Sequence, residues 1–191
     1  MDRLWTPWRY SYISGEKRGR KGVPEELEGW PEDQDRDCVF CNMVAAVEWA
    51  VSAGMPRDEA EGAALIVESG HNCFLCLNRY PYSSGHVMVV PYLHMQSLAE
   101  LPEEAAFEMM STSRRAERAL RQVYRPDGLN LGMNLGEAGG AGVAEHIHMH
   151  ALPRWSGDTN FMSTVAGTRI LPEELPVTWK KLRDAITLMR T

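Results

Sequence analysis

Three histidines alternate with apolar residues near the C-terminal third of this 191-residue chain, in the run Glu145-His-Ile-His-Met-His-Ala-Leu-Pro-Arg-Trp155. Alternation is strand geometry, because successive side chains on a strand point to opposite faces. Ile147, Met149 and Ala151 then turn to a core, and His146, His148 and His150 share the other face. An unperturbed imidazole titrates near ~6.5, so three of them side by side suit acid, base or nucleophilic work close to neutral pH. Half of the chain's six histidines lie within these five positions. A second set of reactive residues is the pair of Cys-x-x-Cys runs, Cys38/Cys41 and Cys73/Cys76. In a reducing compartment such pairs are metal ligands, redox groups or core filler rather than structural disulfides.

The composition narrows what this chemistry acts on. The formal net charge is −6, with 44% hydrophobic and 24% charged residues. That balance describes a soluble globular chain and disfavours nucleic acid or an anionic membrane as main partner, since both reward a basic surface. No run is long and apolar enough to span a bilayer, and the first residues, Met-Asp-Arg-Leu-Trp-Thr-Pro-Trp-Arg-Tyr, lack the apolar core of a signal peptide. The expected location is the cytoplasm. A phosphorylated small substrate stays compatible with the acidic balance, because clustered amides and imidazoles bind it locally.

The elements that must position these residues follow from periodicity. Residues 1–37 are read as an aromatic arm (Trp5, Trp8, Tyr10, Tyr12) and a charged, glycine-rich linker or partly disordered loop. Val39, Phe40, Met43, Val44, Val47 and Val51 form one apolar stripe and predict a helix from Cys38 to about Gly54. Strands are expected at 63–69, 72–78 and 86–91, with a loop at 79–85. Pro102-Glu-Glu opens a long helix over 102–124. A fourth strand (128–135), a glycine-rich loop (136–144), the triad strand and a terminal helix (172–189) complete the chain. Strands interleaved with few helices argue for an α+β domain around an antiparallel sheet of about five strands. The expected division is 1–37 arm and linker, 38–155 nucleotide-binding catalytic domain, and 156–191 a C-terminal extension with a helix. Cys73 and Cys76, three apart on one strand, face opposite sides and are expected as small buried hydrophobes.

The stretch His146-Ile-His-Met-His-Ala-Leu152 resembles the signature of the histidine triad (HIT) superfamily, His-φ-His-φ-His-φ-φ with φ apolar. Upstream, Asn134, Gly136 and the loop Gly139-Gly-Ala-Gly142 are similar to its asparagine and phosphate-loop elements. Asn78 and the Gly85-His86…Pro91…His94…Leu98…Leu101 pattern resemble its ribose-side strand. The opening Trp-Thr-Pro-Trp-Arg-Tyr and the segment Pro153-Arg-Trp-Ser-Gly-Asp158 look like a bacterial and mycobacterial branch that contains diadenosine tetraphosphate phosphorylases.

The resemblance implies a HIT-like fold and a two-step nucleotidyl transfer. His148 is the implied nucleophile at the α-phosphorus, with His146 and His150 beside it. Asn134, Gly140, Gly142, Val143 and Trp155 are the implied phosphate-side residues. Val39, Phe40, Met43, Asn78 and His86 are implied around the nucleoside. For the last group simple packing or turn roles remain open. Relatives with a leading Cys-x-x-Cys hold a structural zinc, which here implies Cys38, Cys41, His94 and His146 as ligands and no organic cofactor. The family pairs as homodimers. Two departures bear on the chemistry. His150 stands where galactose-pathway uridylyltransferases carry glutamine, and Val143 stands where many relatives carry a hydroxyl residue. Two other readings compete: a hydrolase with all three histidines on a catalytic zinc, and a nucleotide sensor of low turnover. Phosphorolysis and hydrolysis differ only in the second acceptor.

Overall fold

The middle strands of the central sheet are buried on both faces, which explains why they read as nearly unbroken apolar runs. The structure is a computed structural model and describes residues 22–27, 29–158 and 173–189. The aromatic arm 1–13 lies outside them, as does 159–172. In chain order the elements are α1 (Val39–Ser52), α2 (Arg57–Ala63), β1 (Ile66–Ser69), β2 (Cys73–Leu77), β3 (Val87–Pro91), α3 (Glu103–Tyr124), β4 (Gly128–Met133), β5 (Met149–Arg154) and α4 (Leu175–Leu188). The strands form one antiparallel sheet in the order β1-β2-β3-β5-β4. It is an α+β fold with a long helix and a C-terminal helix, as the pattern of residues implied.

One face of the sheet buries Val67, Cys73, Leu75, Val87, Val89, Ile147 and Ala151 against α3 and α4, through Met109, Ala116, Leu120, Leu182 and Ile186. The other buries Ile66, Phe74, Cys76, Met88 and Val90 against α1 and α2, through Phe40, Ala46, Val47 and Ala60. Cys73 and Cys76 therefore point into different layers, and burial pushes both thiols up to about 12. They are inert packing, as the strand period predicts. α4 is fastened at its side by Arg183, which bonds Glu61, Asp58 and the Val67 carbonyl. Glu61 is buried, and it also accepts from Ser69.

Three local expectations change. The charged stretch expected as linker is, in its described part, docked on the body: Leu27 and Trp30 are buried in the α1 layer. Two apolar side chains among many charges were enough to fix it. The strand expected from residue 63 begins only at Ile66, because α2 occupies Arg57–Ala63 and Leu65 turns the chain with φ 60°. Pro56 before α2 and Asp58 and Glu59 in its first turn favour that start. Finally, β5 proper begins at Met149. His146 to His148 form a lead-in outside the ladder, whose Ile147 N–H donates to Met95 O at 2.8 Å. Pro91 carries no N–H, and pairing of β3 with β5 stops at Val89 and Met149.

Candidate active site

The alternation of the triad survives in the folded chain. Ile147 and Ala151 enter the α3 layer, and the three imidazoles line the α1 side. Phe40 of α1 stands between two of them, 5.3 Å from the His146 ring and 5.1 Å from the His148 ring by centroids. The His148 and His150 rings meet edge to face at 4.8 Å. His146 and His148 are 1% and 4% exposed, so their protonation is set by neighbours rather than by solvent.

His146 and His148 each have one nitrogen fixed by the main chain. His148 Nδ1 lies 2.9 Å from the carbonyl oxygen of His146. A carbonyl only accepts, so this nitrogen carries the proton and Nε2 keeps the lone pair. His146 Nε2 lies 2.9 Å from Pro91 O, which by the same logic leaves the lone pair on Nδ1. That Nδ1 faces Cys38 Sγ at 3.3 Å and Cys41 Sγ at 3.7 Å. Adjacent triad histidines thus present different nitrogens for different work.

Burial holds all these rings neutral. It pushes His146 and His150 down to about 4 and His86 to about 3, with neighbouring imidazoles adding to the effect. His148 is also lowered from 6.5 by burial, opposed by its bond to the His146 carbonyl. A neutral imidazole with an exposed lone pair is a nucleophile or a metal ligand at pH 7.

Cys38, Cys41, His94 and His146 have ligand atoms within 4.8 Å of one another and could hold a metal ion. His94 Nδ1 is 3.4 Å from Cys41 Sγ. A tetrahedral ion with bonds near 2.0–2.3 Å separates its ligand atoms by roughly 3.3–3.8 Å, and the sulfur–nitrogen distances fall in that range. Burial and the adjacent Cys38 push the Cys41 thiol up to about 11, a cost that a bound cation removes by favouring the thiolate. The donor set therefore fits. It joins the head of α1, the turn after β3 and the first triad histidine.

The remaining expected residues divide. Asn134 follows the end of β4, where Met133 pairs with Met149, so it lies beside the His148 end of β5. Its amide donates to Gly140 O at 3.2 Å and closes the glycine loop. Gly136 and Gly140 have φ 71° and 86°, positions that need glycine. The N–H groups of Gly139, Gly140 and Ala141 bond to Gly136 O and Glu137 O inside the loop. They shape it. Gly142 is exposed, and Val143 packs on the α1 layer with Val39 and Met43. Asn78 Oδ1 accepts from Tyr80 N–H, and its amide faces His86 Nδ1 at 3.4 Å. His86, buried, lies against His150. Trp155 is not brought to the triad within the chain. It meets Tyr124 edge to face at 6.5 Å, at the far end of β5, about 20 Å of strand from His148. The groups that sequence reasoning did not name are main-chain atoms, Pro91 O and Tyr82 N, which no residue-type pattern signals.

A family model described as "HIT domain" matches residues 59–157. A Mycobacterium tuberculosis protein named AP-4-A phosphorylase is 34% identical over 194 residues, covering 100% of this chain and 84% of that protein. "Protein hit" of Bacillus subtilis is 30% identical over 65% of this chain and 76% of its own length. Among solved structures, a Zn-bound histidine triad family protein from Mycobacterium smegmatis matches at 27% identity with TM-score 0.59, over 80% of this chain and 95% of that one.

The four-ligand cluster gives a direct expectation. Elemental analysis of the chain purified without chelator should find about one thiophilic divalent ion per chain, and a Cys38→Ser chain should hold far less. Cys76→Ala, in the other Cys-x-x-Cys run, should keep the full content. Equal content in all three would contradict the assignment.

Proposed function

The chain belongs to the HIT family and is an enzyme, and from that premise we propose that it cleaves dinucleoside polyphosphates of the diadenosine tetraphosphate kind, with inorganic phosphate as acceptor. The observation that carries this reading is His148: Nδ1–H bound to the His146 carbonyl, Nε2 carrying the lone pair, on a ring held neutral by burial. The full-length likeness to the M. tuberculosis protein supports the substrate class and the acceptor.

In the first step the His148 Nε2 lone pair attacks the α-phosphorus. A nitrogen–phosphorus bond forms, and the bond to the bridging oxygen breaks with its electrons on the departing polyphosphate. The ring gains positive charge, which the His146 carbonyl steadies through Nδ1–H. In the second step an oxygen of inorganic phosphate attacks the same phosphorus, the nitrogen–phosphorus bond breaks, and the neutral ring returns. One difficult displacement becomes two easier ones. Positioning and charge stabilisation supply most of the catalysis. We assign the phosphate-side contacts to His150, Asn134 and the Gly140–Val143 end of the loop. The nucleoside lies against Val39, Phe40 and Met43.

Zinc is the ion we propose for Cys38, Cys41, His94 and His146, given the mixed sulfur and nitrogen donors. When bound, it supplies structural cross-linking of α1 to the triad lead-in. His148 Nδ1 stays on a carbonyl and outside that set. No helix of the described residues is long and apolar enough to cross a membrane, and reduced thiols at 38 and 41 suit a cytoplasmic enzyme. A homodimer is supported by β4, an edge strand with Leu131 exposed, and by Phe107 standing 71% exposed on α3. Residues 38–155 carry every proposed catalytic and metal-binding group. Trp155, remote from His148 in its own chain, reaches a phosphate site only if that site belongs to a second protomer.

The test is the fate of isotopically labelled phosphate. With diadenosine tetraphosphate, the label should enter adenosine diphosphate. Unlabelled adenosine monophosphate, formed at a rate independent of phosphate, would replace this reading with hydrolysis. His148→Ala should lower turnover by at least about a thousandfold while leaving nucleotide affinity within about tenfold. A second expectation concerns pH. Because folding lowers the His148 pKa, its neutral form persists below 6.5 and is lost only as pH falls through the lowered value. The acid limb of the kcat/KM profile should therefore be centred below pH 6.5. An acid limb centred above 6.5 would contradict the burial of this ring.

A further inference from the structure

The aromatic arm, with Trp5, Trp8, Tyr10 and Tyr12, has no part in the two-step reaction above, yet the fold leaves an aromatic groove within its reach. On the α1 face of the sheet a cavity of about 310 Å³ opens between α1 and strands β2 and β3. Its walls include Phe40 and Val44 of α1, Phe74 of β2 and Tyr92 just after β3, and the Phe74 and Tyr92 rings stand 5.4 Å apart. Its two exposed members are Arg36 and Glu48. Glu48 is held by two nitrogens of Arg57, at 2.7 and 2.9 Å. The Arg36 main-chain N–H donates to Asn42 Oδ1, which fixes the chain beside the groove. Side chains turn by about 100° per residue around a helix, so Cys41, Val44 and Glu48 face away from Val39 and Met43. The groove is therefore a different surface from the proposed nucleoside side. A volume at the small end of ligand pockets suits one or two side chains better than a nucleotide.

We propose that the occupant of this groove is the chain's own arm, with Trp5 and Trp8 seated against Phe40, Phe74 and Tyr92. Reach favours it. A Cβ on Gly22 would collide with the Val39 carbonyl, so the chain enters the described residues across the head of α1. Ten positions separate Tyr12 from Gly22, up to about 33 Å of extended chain, whereas α1 rises only about 14 Å from Val39 to Glu48. Charge agrees. Residues 1–21 hold six basic and two acidic side chains, net +4, in a chain of net −6, so the remainder carries −10. The run Lys17-Arg-Gly-Arg-Lys21 leads into Gly22, while Glu32, Asp33, Asp35 and Asp37 are exposed just before α1. That attraction draws the arm to this side of the body. Residue order agrees too. Pro7 favours an extended Thr6, and at three residues per polyproline turn Trp5 and Trp8 return to one side. Aromatic grooves bind such segments, and Arg36 offers a cation to an indole face. A second copy is the weaker candidate: Phe107 and Met110 are exposed on α3, across the sheet, so pairing there leaves this groove uncovered. The seating also bears on the ion. Cys41 and His146 line the groove and belong to the metal set, so an indole there covers the half-buried Cys41 from solvent.

Nuclear Overhauser contacts in the full-length chain read the seating directly. Indole protons of Trp5 or Trp8 should show contacts with the Val44 methyls and the Tyr92 ring. In a mixture of isotope-labelled and unlabelled chains, filtered spectra should place those contacts within one chain. Contacts between chains would give the groove to a second copy, and contacts to Phe107, or none, would put the arm elsewhere; each result overturns the proposal. Val44→Glu sets a charge in the groove wall and should abolish the contacts. Because that variant risks misfolding, the paired substitution Trp5→Ala and Trp8→Ala reads the same seat from the arm, and should shift the Val44 methyl and Tyr92 ring signals. Those signals left unmoved overturn the proposal. The paired variant should also yield its bound ion to a chelator about tenfold faster than the wild-type chain, and equal rates would overturn the covering of Cys41. A chain that holds no ion sinks the metal assignment alone, since the contacts are read without it.

Discussion

A carbonyl oxygen accepting from the ring two residues later is the constraint on which the rest of this site depends. Without the His146 O to His148 Nδ1 bond, the buried imidazole could place its proton on either nitrogen, and molecules protonated on Nε2 would offer no lone pair there. The chain at 146–148 lies outside the sheet ladder. Pro91 brings no N–H, β3 stops pairing at Val89, and Ile147 bonds instead to Met95. Pro91 O is then left to accept from His146. One proline at the end of a strand thereby bears on two of the three triad rings.

Packing does the complementary work of keeping roles apart. Phe40 lies between His146 and His148, so the ring that faces two thiols and the ring that faces the site are separated by an apolar wall. The wall and the adjacent helix also remove water. That lowers the histidine pKa values and makes hydrogen-bond direction decisive, because a dry neutral ring has one proton and few places for it. The opposite sheet face, filled by α3 and α4, holds Ile147 and Ala151 in place. Deep burial of those two apolar residues is what orients the histidines between and beside them.

Much of this was legible in residue order. The alternation His-Ile-His-Met-His specified a face, and the face is real. The three-residue spacing of Cys73 and Cys76 separated them from Cys38 and Cys41, which start a helix, where that spacing brings both thiols to one side. Long-range partners were legible only through the family resemblance: nothing local ties His94 to Cys41 across 53 positions. The misreadings have physical sources. Leu27 and Trp30 dock a segment whose average composition is that of a solvated loop. The amides of Gly139, Gly140 and Ala141 close their own loop, a use of main-chain groups that glycine content does not show. Trp155 came from the family resemblance, and β5 carries it away from His148 at about 3.3 Å per step. Main-chain atoms that set tautomers leave no mark on residue type, so the division of labour within the triad had to come from coordinates.

The most direct measurement is the mass of the trapped intermediate. Brief mixing of the protein with diadenosine tetraphosphate in the absence of phosphate, followed by quenching and peptide mapping, should locate one adenylyl group on the peptide containing His148, bonded through Nε2. An adduct on any other residue, on Nδ1 of that ring, or none at all while substrate is consumed, would contradict the assignment of His148 as nucleophile.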